Sequence, residues 1–215
     1  MTATFIRNAN DAAHAAGASS VGIYIAAILG AWFIAVLALG QEGLFEAGLG
    51  RPPLPVLAAF AGPPLLFAAA YRLSPRVRAI ALGLDLRLLT AVQAWRVLGL
   101  VFLAFYDFGL LPGLFAWPAG VGDGAVGMAA IFVLAAMLRD APDWRRRVFW
   151  LNIAGLADFA GAVGTGILTS NSAIGVFYDA SAGASMGLLP LSLIPTFAVP
   201  LWIIFHMISL LQLRR

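Results

Sequence analysis

"GLADFAGAVG" (155–164) sets one aspartate in a run that is otherwise apolar or small. VFWLNIA precedes it and TGIL follows, so Asp158 has about ten uncharged residues on either side. A lone carboxylate at the centre of a membrane helix costs about 2.5–3.5 kcal/mol on insertion scales. Either the segment is not a membrane helix, or the carboxylate has a partner on another helix.

Composition favours the second reading. The 215 residues are 62% hydrophobic and only 11% charged, with a mean hydropathy of +0.94. Soluble domains of this size are nearer 25% charged. Five further runs approach membrane-spanning length, and about 20 apolar residues suffice to cross. The spans fall at about 21–40, 55–73, 88–106, 120–138, 148–168 and 188–211. This predicts an all-α, polytopic transmembrane helix bundle of six spans, residues 21–215, preceded by a cytoplasmic or interfacial segment, 1–20. The apolar piece between Asp107 and Asp123, "FGLLPGLFAWPAGVG", is too short to cross and rich in glycine and proline. It reads as a re-entrant or interfacial segment near 108–122, with Phe115 and Trp117 at the headgroup level.

Loop charges give the direction. With the N-terminus inside, the inner segments hold Arg7, Arg72, Arg76, Arg78, Arg87, Arg139, Arg145, Arg146, Arg147, Arg214 and Arg215. The outer side holds Arg51 with Glu42, Glu46, Asp107, Asp123 and Asp179, and Arg96 lies within a span. That alternation follows the positive-inside rule and places both termini in the cytoplasm, in a plasma membrane of bacterial inner-membrane type. "DWRRR" (143–147) then reads as an anionic-lipid contact through Arg145, Arg146 and Arg147.

The same arginines serve as a depth ruler. Arg96 lies nine residues beyond Arg87, Asp158 eleven beyond Arg147, and His206 eight before Arg214. At 1.5 Å per residue all three sit roughly 12–17 Å from the inner rim, near the midplane. Arg96 facing Asp158 would cancel both charges, with Gln93 on the same helix face and Asn152 nearer the inner rim. Ala154, Ala157, Gly161, Gly164 and Thr165 form a small-residue face suited to close helix approach. Interior prolines 63, 64, 195 and 200 release the carbonyls of Ala59, Phe60, Leu191 and Thr196 as candidate cavity backbone.

Several chemistries are excluded or poorly supported. The chain has no cysteine and no lysine, which rules out disulfides, thiolate ligands and lysine Schiff bases. No phosphate-cradling glycine loop is present, and net charge +3 carried by loop arginines marks orientation rather than nucleic-acid binding. No metal site is expected and the cofactor is left unknown. His14 and His206 could ligate haem only if the N-terminal segment folded back.

The leading expectation is a small-solute or proton-linked transporter or channel, with Arg96 offering an anion contact and Asp158 and His206 exchanging protons. A membrane-embedded enzyme or a binder of a lipid or quinone-like cofactor is one alternative. An accessory subunit of a larger membrane complex is another. Membrane lipids, a second copy or complex partners are the expected neighbours.

Overall fold

The computed structural model describes residues 2–46, 48, 51–178 and 186–215, with side chains from residue 21 onward. Asp179 and the side chains of Arg7 and His14 therefore lie outside the described residues. Among the described residues the fold is all-helical, with seven helices and no strand. They are α1 (Thr2–Gln41), α2 (Leu54–Leu73), α3 (Pro75–Gly83), α4 (Leu86–Asp107), α5 (Gly113–Leu138), α6 (Trp144–Leu168) and α7 (Ile194–Leu213). All but α3 are long and apolar enough to cross a membrane.

The helix ends sort by charge. Arg145 donates to the Leu213 carbonyl, Gln212 donates to the carbonyls of Ala81 and Leu84, and Arg87 pairs with Asp140 at 3.8 Å. These contacts tie together the ends that carry the arginines. At the opposite end, Ala173 N–H donates to the Arg51 carbonyl, joining the α1–α2 and α6–α7 connections. Asp85 caps α4 by accepting from Arg87 N–H at 2.7 Å, and Ser74 caps α3.

Helix α5 is the centre of the bundle. Its apolar side meets α6 through Val126, Ala130, Val133 and Met137 against Val148 and Leu151. Nearer its start, Phe115, Ala116 and Ala119 pack with Phe102 and Leu111. The segment predicted as interfacial is thus mostly the first part of this helix. Residues 113–122 are helical, Phe115 is buried, and only Phe108–Pro112 remains as a turn, with Gly109 at φ +67°. Glycines cost a helix about 1 kcal/mol each in isolation, but here their bare faces are covered. A Cβ at Gly127 would lie 2.5 Å from the Val97 amide nitrogen, and one at Gly120 would lie 3.0 Å from the Leu103 side chain. Packing has overridden local propensity.

Helix α4 meets that glycine face with an unusual winding. Between the α-helical pieces Leu86–Val92 and Val101–Asp107, residues Gln93–Leu100 form a 3-10 helix. Thr90, Gln93, Arg96 and Phe102 are buried at intervals that are multiples of three, with Gly99 filling the remaining step. Three residues per turn is the 3-10 period, so side chains at i and i+3 stack in one row. Helix α7 departs from α geometry in the other direction, opening with a π-helical stretch, Ile194–Ala198. Residues 188–192, predicted as the start of the sixth span, form bends and turns, because Pro190 and Pro195 supply no amide donor. Helix α2 runs from Leu54 to Leu73 with Pro63 and Pro64 inside it.

Helix α1 is peripheral. It is continuous from Thr2 to Gln41, so residues 2–20 and the first span share one 40-residue helix. Its attachment lies in its last three turns. Trp32 and Phe33 bracket the Phe197 ring at 4.8 and 5.2 Å, and Val36 is buried. A Cβ at Gly40 would meet Leu189 at 3.2 Å.

Candidate functional site

Four helices converge on the Arg96 guanidinium. Its Nε donates to Asp123 Oδ1 at 2.7 Å, and its Nη2 donates to Asp158 Oδ2. Nη1 donates to the Gly155 carbonyl at 3.4 Å and to His206 Nε2 at 3.2 Å. The guanidinium carbon also lies over the Phe159 ring, 3.8 Å from its centroid, and that ring meets His206 edge-on.

The hydrogen bonds settle the imidazole tautomer. Arginine can only donate, so His206 Nε2 presents its lone pair. Nδ1 then carries the proton and donates to Asn152 Oδ1 at 2.7 Å, while Asn152 Nδ2 donates to the Val148 carbonyl. A flipped Asn152 amide would set oxygen against oxygen at Val148, so the network has one consistent direction. His206 and Asn152 are buried, and both nitrogens of the imidazole are engaged. Haem ligation through the His206 Nε2 lone pair would displace the Arg96 guanidinium from it.

Three glycines make room for the cluster. A Cβ on Gly99 of α4 would strike the Asp123 side chain, and a Cβ on Gly122 of α5 would strike the Asp158 carboxylate. On α6, a Cβ at Gly155 would lie 2.5 Å from His206 Nε2 and 2.7 Å from Arg96 Nη1. Each of three helices therefore gives up a side chain so that the next can place a charged or polar group. This close approach comes from Gly155, Gly122 and Gly99 rather than from the small face predicted on the fifth span. Gly161 and Gly164 have open space around them, and Ala154 and Ala157 are exposed.

Asp123 was not among the expected site residues. The loop-charge reading placed it on the outer surface, yet it sits ten residues inside α5. Its glycine-rich setting, GVGDGAVG, reads as a loop until the spacing of Gly120, Gly124 and Gly127 is recognised as one face of a helix. That i, i+4, i+7 pattern was the available signal.

Asp123 is also the group that a solute could reach. A cavity of about 150 Å³ runs from Phe45, Asn171 and Met186 at the loop end down to Asp123 and Phe159. Its walls are mostly apolar, with Phe60, Phe102 and Phe115 prominent, and among the described residues Asp123 is its only ionisable lining residue. The Asp123 and Asp158 side chains retain 18% and 11% of their exposure, against 3% for Arg96. The anion contact expected of Arg96 is thus not on offer, because its donors already face carboxylates, a carbonyl and the imidazole. Of the predicted cavity backbone, Phe60 lines the cavity, while Ala59, Leu191 and Thr196 do not. The Leu191 carbonyl accepts from Ile194 N–H. Gln93 is buried one 3-10 turn from Arg96, and neither of its side-chain polar atoms has a partner among the described residues.

Six apolar helices, four of which converge on a buried ion cluster, give this chain the architecture of a multi-pass helical membrane protein. The chain belongs to the family described as a domain of unknown function (DUF8737), whose model matches residues 53–214. The match covers α2 to α7 and the whole Arg96 cluster, and leaves out α1. No curated protein and no solved structure matches the chain.

Proposed function

We propose that the protein is a small-solute or proton-linked transporter or channel whose site is the Arg96–Asp123–Asp158–His206 cluster, supported by Asn152 and Gln93. One observation carries this reading: a cavity entered from one end of the bundle stops at a carboxylate of that cluster. Ionisable groups at membrane depth are costly and mark solute or proton paths. One guanidinium serves two carboxylates here, which leaves the cluster one negative charge in excess when both acids are ionised. A proton or another cation taken up beside Asp123 balances that excess.

The arginine-bearing ends face the cytoplasm in this proposal, in a membrane of bacterial inner-membrane type, with both termini inside. Arg145, Arg146 and Arg147 are exposed at the start of α6, suited to anionic headgroups. The cavity then opens outward.

The test is flux. Liposomes carrying the protein and a pH-sensitive dye in the lumen are given gradients of protons and of small amines, acids and neutral solutes. We expect proton movement, alone or coupled to one solute class, with altered rate or pH response in a folded Asp158→Asn variant. Flux no faster than in empty liposomes across the whole panel, or unchanged flux in Asp158→Asn, removes the reading.

A further inference from the structure

The geometry points to a ligand class: the cavity takes a small monocation with an apolar body about the size of a benzene ring, its ammonium head on Asp123. This deepens the transporter reading and rests on the same cavity. Three observations carry it.

The first is charge. Among the described residues Asp123 is the only ionisable group lining the cavity, its Oδ1 is held by Arg96 Nε, and no other donor among them reaches the carboxylate. A carboxylic acid entering the cavity would meet this carboxylate. Among the described residues it would find no free cation, since Arg96 is turned into the helix interface behind Asp123. A neutral polar solute would lose its water to walls that offer few replacement hydrogen bonds.

The second is the wall. Phe60, Phe102, Phe115 and Phe159 present aromatic surface around the same space that Asp123 faces. Aromatic faces attract ammonium groups and also take up an apolar body. A proton alone needs neither the volume nor the rings.

The third is size. The cavity measures about 150 Å³, and an apolar cavity of about that volume accommodates benzene in other proteins. The polar residues Thr169, Ser170 and Asn171 lie at its other end, so a ligand passes a polar mouth before its head reaches the acid.

Equilibrium binding of three probes of one shape tests the inference on the purified full-length protein: benzylammonium, benzyl alcohol and benzoate. Benzylammonium should bind saturably, at least tenfold more tightly than benzyl alcohol, with benzoate weakest. Asp123→Asn should abolish the preference for benzylammonium over the alcohol. Val163→Phe, which adds a ring at the cavity wall and leaves the ion cluster alone, should weaken both by tenfold or more. This second variant decides the matter if Asp123→Asn does not fold. Benzoate or benzyl alcohol matching benzylammonium, or benzylammonium binding indifferent to both substitutions, overturns the inference. Binding is read without a gradient, so the two proposals fail separately. Benzylammonium that binds but never crosses would sink transport alone, and flux of an acid or neutral solute without amine binding would sink the ligand class alone.

Discussion

Helices α1 and α5 are both apolar enough to cross a membrane, with mean hydropathies of 2.4 and 2.0 in their membrane-length windows. Yet 6% of the first window is buried and 39% of the second. Apolar composition therefore selects the solvent, lipid rather than water, but does not select neighbours. In lipid an exposed leucine is as well accommodated as a buried one, so the contacts that arrange helices come from small and polar residues. Helix α5 has bare glycine faces and one aspartate. The glycines of α1 at 22 and 30 look onto open space.

The largest test of that contrast is at the charge centre. Arg96→Leu leaves Asp123 and Asp158 facing each other without a cation, and removing one partner of a buried pair costs about 3–5 kcal/mol. We expect little folded protein by size-exclusion chromatography. The triple variant Arg96→Leu, Asp123→Asn, Asp158→Asn should regain most of the yield. A triple variant as poor as the single one would mean that the cluster does not organise the bundle.

Next come the glycine seats. Gly122→Ala and Gly127→Ala press a methyl group into the Asp158 carboxylate and the Val97 backbone respectively. Overpacking of this kind costs about 1–3 kcal/mol, visible as a lowered thermal midpoint. Midpoints equal to the unmodified protein's would show that α4 and α6 are not held against α5 by these bare positions.

Asn152→Ala removes the acceptor of His206 Nδ1–H in a buried setting, a loss of about 1–3 kcal/mol. It should destabilise more than Thr165→Ala, whose hydroxyl bonds only within its own helix. Equal effects would mean that the imidazole finds another acceptor. The smallest effect belongs to α1. Gly30→Ala meets open space and should raise stability by up to about 1 kcal/mol, as helix propensity alone predicts. A loss as large as that of Gly122→Ala would erase the distinction between the two helices.

Much of this arrangement could be read from the residues. The six helices follow from apolar runs and turn residues. Arg96 and Asp158 stand out because an isolated charge in such a run demands a partner, and the arginine spacing put His206 at their depth. Asp123 escaped because glycine and proline around it resemble a loop, and a count of loop charges carries no information about depth. The small face of α6 was misassigned for a related reason. Small residues permit close approach wherever they occur, and which of them is used depends on the neighbouring helix. The winding of α4 could not be read locally, since Gln93–Leu100 holds no proline and a single glycine does not distinguish 3-10 from α winding; the tight turns pack against α5.

That winding has a geometrical consequence. A 3-10 helix advances by 120° per residue and an α-helix by 100°. Over the eight residues of Gln93–Leu100 the difference accumulates to roughly 160°. The end of α4 that carries Val101–Asp107 is thus turned nearly half a revolution from where a uniform α-helix would leave it. Relaxing the segment to α geometry would swing Arg96 off the line of Gln93 and Gly99 and shorten the rod. The guanidinium's aim and the orientation of that half of the helix are set by one screw coordinate, and neither can change without the other.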